Sequence, residues 1–206
     1  MWPQRPTAEY LLHGAYYALE QAGHLLQDAI MLYSQRRFSS AAVLAVFSRE
    51  EVGRAQMLFE ARRLILKGLA VSGTELENKC AKHVDKLTQS LISTTFVLPP
   101  GRYRWNVKDL RGDIDDIADR WRKKRPDALH QQRKAALYVT PNNSGRGWNR
   151  PCRLGEQDCE LILIDVMNNY RFYTGEHLAQ DSELKAAFEA WQARPQLPQP
   201  ELPVKR

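Results

Sequence analysis

Apolar residues recur along this chain at intervals of three and four, the period of a helix, over most of its 206 residues. Thr7 reads as the N-cap of a first helix running to about Arg36. Its apolar face carries Leu11, Leu12, Ala15, Leu19, Ala22, Leu26, Ala29 and Leu32. Ser39 or Ser40 caps a second helix to about Lys67, and the all-round apolar stretch 41–47 places it at the centre of a bundle. After a break at Val71–Thr74, a third helix is predicted over 75–96, with Leu76, Cys80, Val84, Leu87 and Leu91 inward. A fourth spans 106–124, a short one 127–136, a long one 156–173 and a last one 182–193. Residues 136–140 read as extended and 141–147 as a loop. The fold class is therefore all-α: one helical domain over 1–193, with a short extended or loop insertion around 137–153. The tail, 194–206, has four prolines in its last twelve residues and is expected to be disordered.

Charge interrupts the second helix's apolar stripe. Leu44, Glu51 and Leu58 are seven apart, as are Val43, Glu50 and Met57, and Phe47, Arg54 and Ala61. Each trio points one way, so Glu50, Glu51 and Arg54 stand where a core is expected, a costly place unless paired. The third helix repeats the oddity at Lys82-His83-Val84-Asp85-Lys86, with His83 on the face of Leu76, Cys80 and Leu87. Glu51, Arg54, His83 and Lys86 thus form a candidate polar site from two neighbouring helices. Two readings stand. In one, His83 works as acid or base while the cations bind phosphate. In the other, Glu50 or Glu51 pairs with Arg54 and with His83 or Lys86 to lock helix register.

The net charge of +6 lies in the middle of the chain. Residues 100–153 carry fourteen basic and six acidic side chains, whereas 154–206 carry five and nine. The densest run is Arg120, Arg122, Lys123, Lys124 and Arg125, followed by Arg133 and Lys134. Interleaved with Trp105, Trp121, Tyr138 and Trp148, these residues suit an RNA backbone and stacked bases. They equally suit a solvated helix end. Asp113, Asp115, Asp116 and Asp119 read as an exposed helix face rather than a metal site. No cofactor is expected. Three scattered cysteines, no apolar run of membrane-spanning length and no signal-peptide core point to a reduced cytoplasm and no membrane.

Three stretches together resemble the abortive-infection type V (AbiV) family, a bacterial anti-phage group of the HEPN superfamily. Ala41–Ala45 leads into Glu50-Glu51-Val52-Gly53-Arg54, where the family usually shows Glu-Glu-x-Gly-Lys. His83-Val84-Asp85-Lys86 matches His-x-x-Lys. Arg133-Lys134-Ala135-Ala136-Leu137-Tyr138-Val139, a loop and Trp148-Asn149-Arg150-Pro151 match the third stretch. Arg54 departs from the usual Lys, placing a planar fork where a compact ammonium is common. The resemblance implies a HEPN-like bundle, a homodimer by superfamily habit, and a role in stopping phage growth through RNA or the translation machinery, with a phage-encoded activator. Many HEPN proteins are metal-independent ribonucleases whose motif is Arg, four to six residues, then His. Arg171–His177 and Arg125–His130 both fit that spacing. Arg171–His177 follows the last long helix, where the motif is expected, although Gly175 interrupts it. The rival reading of Arg171 and His177 is an exposed helix end. Two functions follow: an endoribonuclease toxin, or a non-catalytic helical dimer that binds a phage protein or the translation machinery and blocks translation.

Overall fold

The computed structural model describes residues 2–94, 130–131, 133–141, 147–177, 182–191, 194 and 196–202. The predicted helix at 106–124, with Trp105, Trp121, its aspartates and the run Arg120, Arg122, Lys123, Lys124 and Arg125, lies outside these residues. What is described is all-α apart from one two-residue hairpin. The helices are α1 (Ala8–Ser34), α2 (Phe38–Leu66), α3 (Gly73–Ala81), α4 (His83–Thr94), α5 (Glu156–Arg171) and α6 (Ser182–Ala190). A π-helical turn, Phe172–His177, follows α5 directly. The hairpin pairs Thr140 with Asn149 and Pro141 with Trp148.

As its all-round apolar stretch implies, α2 is central and packs on α1, α3, α4 and α5. Small side chains set the α1–α2 seam. Ala15, Ala22 and Ala29 of α1 and Ala41, Ala45 and Ala55 of α2 are fully buried, between Leu11, Leu19 and Leu26. Such residues let two helices approach closely and bury apolar surface worth about 25 cal/mol per Å2. Thr7 caps α1 as predicted, its hydroxyl accepting from the Tyr10 amide at 3.1 Å. The helix ends at Ser34, because Arg36 turns left-handed at φ 60° and Arg37 N–H returns to Leu32 O at 2.9 Å. Arg37, not a serine, then stands at the start of α2. Ser39 instead fixes the stretch before α5, donating to Cys152 O at 3.2 Å and accepting from Leu154 N at 2.9 Å.

Two expectations are corrected. The third helix is not continuous: Lys82 is extended at φ −84°, ψ 122° and divides α3 from α4. No proline or glycine marks this break, so periodicity alone runs through it. The tail is not disordered at 196–202. Pro198 and Pro200 are buried, and Leu197 and Leu202 pack on the core. Tyr170 Oη donates to Pro198 O at 2.9 Å. Gly23 makes the docking feasible, since a Cβ there would stand 2.5 Å from Tyr170 Oη and 2.8 Å from Pro198. Among the described residues, no helix is long and apolar enough to cross a membrane.

Candidate functional site

At the α2–α4 crossing the backbones touch. A Cβ on Gly53 would lie 1.9 Å from the carbonyl oxygen of Lys86, so only glycine admits α4 at this distance. The crossing brings Glu50 and Glu51 of α2 beneath the first turn of α4. Glu50 is the deeper acid, its side chain 2% exposed, and three cationic or basic groups converge on it. His83 Nδ1 lies 2.6 Å from Oε2, Lys86 Nζ 3.4 Å from Oε2, and Arg133 Nη1 3.2 Å from Oε1. Glu51, nearer the surface, takes Arg54 at 3.2 Å and Lys86 at 3.8 Å. Burial pushes the Glu51 carboxyl above its usual range, against the lowering pull of Arg54 and Lys86.

Glu51, Arg54, His83 and Lys86 therefore meet, but around Glu50 as the central acid. The break at Lys82 changes the place of His83. It leaves the buried face of Leu76, Cys80 and Leu87, and its side chain is 44% exposed at the start of α4. One edge of the ring reaches the buried carboxylate while the rest faces outward. Across it lies His130, stacked at a centroid distance of 5.6 Å and an interplanar angle of 25°.

Arg133 joins these groups. It was expected among the RNA-binding cations, yet its side chain is only 6% exposed and lies over the Phe47 ring at 4.8 Å. Besides facing Glu50, it donates from Nη2 to His130 Nδ1 at 3.0 Å. Desolvation, then the nearby Arg133 charge, lowers the His130 pKa. Lys134, its neighbour in the chain, is exposed. Counted together, Glu50 and Glu51 face Arg54, Lys86 and Arg133, an excess of one positive charge before either imidazole is protonated. The arrangement can accept a proton, donate one and attract an anion.

The second candidate pair is not joined to this cluster by any described contact. Arg171, at the end of α5, donates to Pro200 O of the tail at 3.4 Å. His177 closes the π-helical turn. Among the described residues, no group of three or more His, Cys, Asp and Glu is placed to hold a metal. Sequence reading named two further members of the site, His130 and Arg133, without placing them in it. His130 carried a signal only through its spacing from Arg125, and Arg133 was hidden in a basic run.

A second buried charge lies next to Glu50 in the chain. Arg49, 1% exposed, pairs with Asp165 of α5 and donates from Nε to Ser90 of α4 at 3.2 Å. Asn169 of α5 donates to Ser90 O at 3.0 Å. This network ties together the three helices around the site.

No curated protein and no solved structure matches the chain. The HEPN family model described as AbiV matches residues 10–166, a span that holds the Glu50–Gly53 crossing, the start of α4, the Arg133 segment and most of α5. The chain belongs to the AbiV family of HEPN-type abortive-infection proteins.

Proposed function

We propose that this protein is a metal-independent endoribonuclease that acts in the cytoplasm to shut down translation on infection, with His83 as its general base. The Glu50–His83 contact of 2.6 Å carries this reading. An ionised carboxylate only accepts, so it fixes the proton of a neutral His83 on Nδ1 and leaves the Nε2 lone pair for a substrate hydroxyl. The ring's exposure allows that hydroxyl to reach it. His83 takes the proton of a ribose 2′-hydroxyl, whose oxygen attacks the adjacent phosphorus. The excess positive charge supplied by Lys86, Arg133 and Arg54 stabilises the phosphorane-like transition state. The products are a 2′,3′-cyclic phosphate and a 5′-hydroxyl.

The test is cleavage of total bacterial RNA by purified protein in EDTA, alone and with phage lysate as a source of activator. Cleavage leaving cyclic phosphate ends, and lost in His83→Gln, is expected. Intact RNA under both conditions overturns the reading.

One observation favours the non-catalytic alternative. Tyr138, Val139 and Trp148 are 57%, 56% and 70% exposed beside Lys134 and Arg150, a surface suited to RNA or the translation machinery. A homodimer belongs to both readings. Residues 41–47, though strongly apolar, are mostly buried within the chain itself and offer no surface for it, whereas Leu161 and Ile164 of α5 are 61% and 37% exposed. Leu161→Glu should convert a dimer to a monomer in light scattering; an unchanged mass removes α5 from the interface.

A further inference from the structure

His83 and His130 share a stack but are held differently. The first gives its Nδ1 proton to a carboxylate, whereas the second accepts at Nδ1 from a guanidinium. An acceptor nitrogen carries no proton, so this contact holds His130 neutral, with its remaining proton on Nε2. Arg133 is the only described group that touches both imidazole Nδ1 atoms and Glu50, at 3.4 Å from His83, 3.0 Å from His130 and 3.2 Å from Glu50. Its Nη1 faces Glu50 Oε1 without forming an aligned hydrogen bond to it, and its buried Nε has no partner among the described residues. The guanidinium is thus held by contacts that an incoming phosphate, offering paired oxygens to a planar fork, would outmatch.

Resting on the nuclease reading, we infer that Arg133 is a phosphate-operated clamp on His130. An RNA phosphate draws the guanidinium away, and His130 becomes the general acid that protonates the leaving 5′-oxygen. The proton and electron balance closes. His83 Nε2 takes the 2′-hydroxyl proton as the 2′-oxygen bonds to phosphorus. The bond from phosphorus to the 5′-oxygen breaks with its electron pair on oxygen, which takes a proton from the His130 imidazolium. His83 ends protonated and His130 neutral, and exchange with water at these partly exposed rings resets both. The charges around the pair support the switch. Glu50 faces it from α2 and Arg133 and Lys134 from the 133–137 segment, while Lys86 of α4 reaches Glu50 and links it to Glu51 and Arg54. Desolvation and then the Arg133 charge disfavour a charged His130, and the negative charge of a bound phosphodiester, with the guanidinium drawn onto it, favours that charge. His130 then touches the reacting atoms, while Arg133 acts on it as well as on the phosphate.

A substrate with sulfur in place of the scissile 5′-oxygen separates acid from base, because a thiolate leaves without being protonated. On ordinary RNA, both His83→Gln and His130→Gln should slow cleavage by about 100- to 10,000-fold. On the sulfur-bridged substrate, His130→Gln should recover nearly to the wild-type rate and His83→Gln should not. Equal loss on both substrates overturns the assignment of His130. The wild type needs no variant for the second measurement. The five histidines are followed by NMR titration with and without a 2′-deoxy oligonucleotide, which has the phosphates but not the reacting hydroxyl. The His130 midpoint should rise by about one unit on binding. Binding without that rise overturns the clamp and leaves the nuclease intact. Failure of wild type to cut either RNA substrate instead overturns the nuclease reading itself.

Discussion

Arg49 and Glu50 are adjacent and both about 1% exposed, yet α2 presents them to different surroundings. Arg49 meets Asp165 and Ser90, so its charge is matched across three helices with no imidazole among those partners. Glu50 meets an imidazole that is nearly half exposed, with a second imidazole stacked upon it. Burial of a charge does not by itself mark a reactive site. What distinguishes the Glu50 side is that its buried carboxylate contacts an imidazole that solvent can reach. The Arg49 side has the form of a register lock.

The sharpest test of that division sets one variant from each side against the other. Arg49→Ala removes one partner of a buried pair and should cost about 3–5 kcal/mol of stability, with any loss of RNA cleavage tracking the loss of folded protein. His83→Ala should lose about 100- to 10,000-fold in cleavage while its urea unfolding curve stays close to wild type. If His83→Ala unfolds as readily as Arg49→Ala, the two sides are both structural and the comparison fails. Glu50→Gln belongs between them: it should lose activity with His83 and also lose stability, because Lys86 and Arg133 keep their charges without the carboxylate that faces them.

A smaller effect is expected at the crossing that both sides share. Gly53→Ala forces its methyl against the Lys86 carbonyl, so α4 must shift, at a cost of about 1–3 kcal/mol. Because His83 and Lys86 ride on α4, cleavage should fall further than stability does, whereas the Arg49 contacts, farther along α4 at Ser90, should be less disturbed. Chemical shifts of Ser90 that move as much as those of His83 would contradict this. Where the tail docks, Tyr170→Phe removes the hydroxyl that holds Pro198 and should cost about 0.5–1.5 kcal/mol, with cleavage unaffected.

The acids and cations of α2 and α4 were legible in the sequence because a helix places residues seven apart on one face, and charge on an apolar face stands out. Which acid lies deepest was not. Glu50 and Glu51 both interrupt apolar trios, and choosing between them needs the direction from which α4 arrives. That direction depends on the break at Lys82, which no helix-breaking residue announces. The missed break also kept His83 on the core face of Leu76 and Cys80, when its partial exposure is what makes it useful. Arg133 and His130 were harder still. They reach Glu50 from about eighty residues away, and a buried arginine in a basic run has no local mark to separate it from its exposed neighbour Lys134. The docked tail was missed for a related reason: proline content argues against helix, but not against a strap whose carbonyls accept from Tyr170 and Arg171.

The smallest expected effect returns to the pair Glu50 and Glu51. Burial raises the Glu51 carboxyl above its usual range despite Arg54 and Lys86, so the folded state favours its neutral form more than the unfolded chain does. Its contribution to stability is then fully present below the ordinary carboxylate range and is lost as pH rises through the raised value. Above that value the wild type has lost it. Glu51→Gln, which is neutral at every pH, should therefore melt slightly higher than wild type at pH 7, with the difference closing toward about pH 4. Glu50→Gln should melt lower at pH 7, since there the carboxylate is what three converging groups require. Opposite signs at two neighbouring glutamates would show that the site is organised about Glu50; a lower melting temperature for both variants would place the two acids in one shared ion-pair lock.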